Sequence, residues 1–178
     1  MPDAFNGTLS GWQNFYFMAG GASATLLGLM FVALSMGTHL INDEVRQEIE
    51  TFTSPSIFYF VSVLLLACLM LVPMISTVAL GVLLLIGGAS GLAWTAPRIR
   101  LLILAARKHQ DFGVADWLAQ IILPALTYPL VILAAICVAD NAPSVAFGAL
   151  WLATIWLLIC AIYNTWSLVI WVIMQRKP

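Results

Sequence analysis

Charge is what this sequence has least of. Asp, Glu, Lys and Arg make up 8% of its 178 residues, where a soluble domain carries about 25%. So few charges cannot cover a water-soluble surface of this size, so the bilayer is the expected solvent for most side chains. The formal net charge of -1 leaves no electrostatic footprint for nucleic acid. Cysteine is also sparse. Cys68, Cys137 and Cys160 each fall inside an apolar run, where a thiol reads as a small core residue rather than a ligand or a bridge. No basic region precedes the first apolar run, so a cleaved signal peptide is not expected.

Ionisable groups are missing from mid-span, where they would mark a proton relay or a charge-coupled carrier. Asp140 comes nearest, at the end of the fourth apolar segment. His39 and His109 lie in polar connections without partners at metal-ligand spacing. There is no nucleophile elbow, phosphate loop or haem-attachment motif. No catalytic residue, metal site or cofactor is therefore expected, and the chain does not read as an enzyme.

What is there is hydrophobic: 62% of the residues. Five apolar segments can be drawn, at about 12–36, 55–72, 76–94, 117–139 and 145–174. Each is close to or above the ~20 residues a helix needs to cross ~30 Å of hydrocarbon. The expectation is a single all-α transmembrane bundle. The second and third segments are nearly continuous, and one helix through both would be about 60 Å long. Pro73 stands in the middle, where it removes a backbone donor and crowds the preceding turn. A tight hairpin over 72–76 is the better reading, with a four-span chain as the alternative. Residues 140–144, Asp-Asn-Ala-Pro-Ser, have turn composition and join the last two segments.

Five spans put all seven Lys and Arg on one side of the membrane. By the positive-inside rule that side is the cytoplasm, giving N-out, C-in. Two connections on this side have helical patterns. In 41–53, Ile41, Val45, Ile49 and Phe52 recur at helical spacing behind Asn42 as N-cap, and the opposite face carries Glu44 and Glu48. The run Thr53-Ser54-Pro55 is expected to end this helix or pivot it into the second span. Residues 98–110 hold Arg98, Arg100, Arg107 and Lys108, and read as a basic helix that extends the third span or lies along the headgroups. The acidic and basic faces either pair or remain separately solvated.

Small and neutral polar residues form stripes. On the first span, Asn14, Met18, Gly21, Thr25, Gly28, Val32 and Ser35 alternate spacings of four and three, which places them on one helical face. Gly20, Ala24 and Gly28 overlap them. On the fifth span, Ala153, Leu157, Cys160, Asn164, Ser167 and Trp171 keep the same spacing. Small residues let helix backbones approach closely in lipid. Two readings stand: packing within the chain, or a first-span face that meets a partner or lines a neutral pore. Asn164 is an amide at membrane depth and needs partners, with Thr127 and Tyr128 as candidates. Pro124 and Pro129 are expected to kink the fourth span there.

Residues 15–35, Phe-Tyr-Phe-Met-Ala-Gly-Gly-Ala-Ser-Ala-Thr-Leu-Leu-Gly-Leu-Met-Phe-Val-Ala-Leu-Ser, resemble the opening of a widespread group of small bacterial integral membrane proteins. Residues 164–169, Asn-Thr-Trp-Ser-Leu-Val, resemble the Asn-x-Trp-x-Leu-Val pattern near the end of that group. The group has no established activity. The resemblance implies a multi-pass protein of the bacterial inner membrane, and marks the first-span stripe and Asn164 as parts of the group's pattern. The expected function is a non-enzymatic membrane protein acting by helix association, as a homo-oligomer or an accessory subunit. The alternatives are a homo-oligomeric channel lined by the first span, and a binder of lipid or of an apolar ligand near Pro124, Tyr128 and Asn164.

Overall fold

A computed structural model describes residues 2–37, 43–73, 75–106 and 113–175. They are helical apart from short connections, and five stretches are long and apolar enough to cross a membrane. The single long helix through the second and third segments, on which the four-span alternative rests, is not formed, since one helix ends at Met70 and the next starts at Thr77. Helix α1 runs Pro2–Gly37, α2 Asp43–Met70 and α3 Thr77–Ala106. A short α4 (Val114–Asp116) leads through a π-helical turn (Trp117–Ile122) into α5 (Leu123–Ala139). Helix α6 spans Pro143–Gln175.

The helices are longer than the hydropathy segments. The first starts at Pro2 instead of Trp12, with proline supplying a pre-set φ for a first helical turn. Of the two outcomes expected at Thr53-Ser54-Pro55, the helix does not end there: α2 passes through Pro55 and continues into the second span. Proline removes one backbone bond, while the other amides of an apolar helix have no water to turn to. Helix α3 likewise passes Pro97, so the basic segment from Arg98 extends the third span. Asn42 as N-cap, and Arg107 and Lys108, lie outside the described residues, as do the side chains of Glu44 and Glu48; pairing of the acidic and basic faces therefore does too.

Both expected turns are present. The α2–α3 hairpin lies between Met70 and Thr77, and the Ser76 hydroxyl caps α3 by accepting from the Ala79 amide at 3.2 Å. At the end of α5, Asn141 has φ 56°. The Ala142 amide donates to the Cys137 carbonyl at 2.9 Å and the Asn141 amide to Val138 at 3.3 Å. This is a Schellman cap with Asn at its left-handed position.

Neighbours in sequence are not always neighbours in space. Helix α3 packs on α5, α5 on α6, and α2 on α1 and α6. Two clusters fill the interior. One joins Phe5, Tyr16, Met70, Leu80, Val138 and Phe147, and the other joins Ala19, Phe60, Val63, Tyr128, Leu157 and Cys160. Gly88 and Gly91 let α3 approach α5. A Cβ on Gly88 would meet Ile132 at 2.7 Å, and one on Gly91 would overlap the Tyr128 ring. Large apolar side chains such as Phe17, Leu65, Val78 and Leu101 point outward, an arrangement that suits lipid.

Candidate functional site

Two regions combine polar groups with space or exposure: the outer face of α1, and the gap between α2 and α3.

Helix α1 has two opposed faces. Tyr16, Ala19, Gly20, Ser23 and Met30 are buried against the bundle. A Cβ on Gly20 would stand 2.8 Å from Ala67 of α2, and the Ser23 hydroxyl donates to the Phe60 carbonyl of α2 at 2.7 Å. The stripe Asn14, Gly21, Thr25, Gly28 and Ser35 is exposed along its whole length. At about 100° per residue it lies half a turn from the buried face. A Cβ on Gly21 or Gly28 would meet nothing within 4 Å. The stripe therefore does not pack within the chain. Of the overlapping series, only Gly20 does; Ala24 and Gly28 face out.

The matching stripe on α6 has the opposite fate. Ala153, Leu157, Cys160 and Asn164 are buried, so the two stripes do not meet. Helices α1 and α6 touch elsewhere: Phe5 lies 5.8 Å from Phe147 between ring centroids, and the Thr165 hydroxyl is 3.8 Å from Met30 Sδ.

Asn164 does not bond to the residues expected for it. The Thr127 hydroxyl donates to its own helix, to the Leu123 carbonyl at 2.7 Å. Tyr128 instead pairs with Ser62 of α2, oxygen to oxygen at 3.3 Å. Tyr128 faces α2 and α3. Asn164 is 4% exposed and borders a cavity of about 220 Å³ with Tyr59, Thr95, Arg98 and Gln120. Among the described residues its amide has no hydrogen-bond partner.

Arg98 frames that cavity. Its guanidinium lies 4.5 Å over the Trp94 ring and donates to Ser54 Oγ at 3.2 Å. Trp94 in turn stacks on Phe58 of α2 at 3.8 Å. These contacts tie α2 to α3. Beyond the stack the helices part around a cleft of about 360 Å³, with Ser62, Leu65, Gly87 and Ser90 on its walls and Tyr128 on its floor. The cavity expected near Tyr128 is thus present, but it opens between α2 and α3. Pro124 does not border it, and Asn164 borders the separate polar pocket.

Asp116 organises the start of the fourth span. It accepts from the Tyr163 hydroxyl at 2.8 Å, from Gln120 Nε2 at 3.3 Å and from the Gly113 amide at 3.2 Å. It holds the π turn whose Gln120 faces the polar pocket. Arg100 is exposed on α3. No motif or spacing in the sequence marks Asp116, Gln120 or the Phe58–Trp94 pair. The spacing of Trp94 and Arg98, one helical turn apart, was an available signal for their contact. Among the described residues no His, Cys, Asp or Glu cluster suits a metal ion.

No protein-family model matches the chain, and no curated protein or solved structure matches it either.

Proposed function

We propose that this chain is a non-enzymatic component of the bacterial inner membrane that works by helix association, with the outer face of α1 meeting a second copy of itself. The observation that carries this reading is that Asn14, Gly21, Thr25, Gly28 and Ser35 are all exposed, opposite the face α1 uses within the bundle. Lipid alone gives no reason for glycines on an outward face, because helices there lose nothing by carrying large apolar side chains. Close backbone approach to another helix does. Copies related by an axis along the membrane normal would bring two α1 helices together in parallel. Thr25 supports packing over hydration: its hydroxyl already donates to the Gly21 carbonyl at 2.8 Å, so its methyl and a spare lone pair face outward.

Disulfide trapping in native membranes tests the reading. In a Cys68→Ala background, Gly21→Cys or Gly28→Cys should yield a crosslinked dimer. Val78→Cys, outward on α3, should not. Equal yields from all three would remove the support for an α1 interface. An accessory subunit is the same reading with a different partner, and would show as a crosslink of another mass.

A pore along the same stripe is the second reading, favoured by exposed Asn14 and Ser35 towards the two ends of α1. It requires conductance in planar bilayers that changes when Thr25 is replaced by Phe. Silence from folded protein eliminates it.

A further inference from the structure

Helices α2 and α3 are joined by a tight turn, yet each packs mainly on other helices. The gap they leave opens sideways, towards the surroundings of the bundle. Its upper part is the 360 Å³ cleft. The hydroxyls on its walls are already occupied: Ser62 donates to Phe58 at 2.8 Å and meets Tyr128, and Ser90 donates to Gly87 at 3.0 Å. Water entering the cleft would find few of the partners it needs. Hydrocarbon fits such walls.

The lower part carries Arg98, Gln120 and Asn164 among apolar walls that include Pro55, Ile99 and Leu102. Arg98 lies twenty-one residues beyond Thr77, the start of α3, a rise of about 30 Å. That matches the ~30 Å thickness of the hydrocarbon core, so Arg98 stands at headgroup depth when Thr77 is at the other interface. No described carboxylate neutralises Arg98, and its described hydrogen bond uses one donor, to Ser54, of the five a guanidinium carries. Beside it Asn164, 4% exposed, borders the same pocket, and among the described residues its amide makes no hydrogen bond, so an occupant of the pocket can supply one.

We propose that the groove between α2 and α3 seats one anionic phospholipid, its acyl chain in the apolar cleft and its phosphate at Arg98 and Asn164. The two pockets share no lining residue, so in this proposal the lipid runs over the outer side of the Phe58–Trp94 stack that lies between them. This site is independent of α1, whose outward stripe lies on another helix.

The test uses the full chain in nanodiscs of mixed zwitterionic and anionic phospholipid, released for native mass spectrometry. One retained lipid per chain is expected, enriched in the anionic class over the bulk mixture. Gly87→Phe should abolish retention, because a side chain there meets nothing and points into the cleft. Arg98→Gln should keep a lipid but lower the anionic preference about tenfold, the size of one charge-assisted contact. Asn164→Leu should lower it less. Circular dichroism and thermal unfolding confirm that each variant is folded. If Gly87→Phe fails to fold, the Arg98→Gln shift decides alone. Retention at bulk composition in the unmodified chain would overturn the proposal. So would displacement of the headgroup by millimolar inorganic phosphate with the acyl chain left behind, which would make this a free-anion site.

Discussion

The Tyr128 ring occupies the space in which a side chain on Gly91 would stand. This contact sets how closely α3 approaches α5, and it holds the Tyr128 hydroxyl at Ser62 on the floor of the cleft.

Replacing Gly91 with Ala should therefore destabilise the bundle by about 1–3 kcal/mol, as overpacking does. Gly88→Ala should act in the same direction, against Ile132. Gly87→Ala should stay within about 0.5 kcal/mol of the parent, since its Cβ would meet nothing. Thermal unfolding in one detergent, run on all three, checks the order. Equal melting temperatures would mean that α3 and α5 are not this close.

Within one turn of α3, Gly88 and Gly91 thus admit α5 while Gly87 does not, and no sequence pattern separates them. The same limit explains what was legible and what was not. Five spans, the hairpin near Pro73 and the turn after Asp140 could all be read, because length, proline and turn chemistry act locally. Neighbour relations could not. In lipid, core and surface are both apolar: Leu65 is 64% exposed and the adjacent Leu66 is 8% exposed, yet composition treats them alike. The stripes on α1 and α6 share a spacing, and one faces out while the other faces in. Spacing shows that residues share a face, and leaves open what that face touches. Asn164 was found as a buried polar residue by type alone, but its surroundings depend on the rotation of α6 against α2 and α3.

Asn141 offers a local test of the loop that fixes α5 against α6. Its φ of 56° suits Asn or Gly and costs other residues about 1–2 kcal/mol. Asn141→Ala should lower stability by about 1 kcal/mol, and Asn141→Gly should be neutral within a few tenths. A melting temperature for Asn141→Ala at or above that of Asn141→Gly would contradict the left-handed cap.

Asp116 links the π turn to α6 through the Tyr163 hydroxyl at 2.8 Å. Tyr163→Phe removes a donor to a carboxylate at a partly solvated position, where the loss should be about 1 kcal/mol. Asp116→Asn should cost a similar amount, since it weakens the bonds from Tyr163, Gln120 and the Gly113 amide together. The double variant should cost little more than Asp116→Asn alone, because neighbours that share an interaction are not additive. Hydrogen exchange at residues 114–122 should quicken in each variant. Full additivity would show that the contact is not made in the membrane.

Side-specific labelling tests the five spans and their direction together. The turns holding Ser76 and Asn141 must lie on one side of the membrane, and Arg100 and the residues joining α1 to α2 on the other, if every long helix crosses. All seven Lys and Arg then share the second side, which the charge bias assigns to the cytoplasm. An impermeant thiol reagent on intact cells should reach Ser76→Cys and Asn141→Cys, and should reach Arg100→Cys only once the membrane is opened. The reverse pattern would keep the fold and invert the orientation. A cysteine at Thr38 labelled from outside, with Arg100→Cys still protected, would mean that α2 or α3 does not cross, since only those two helices lie between the two positions.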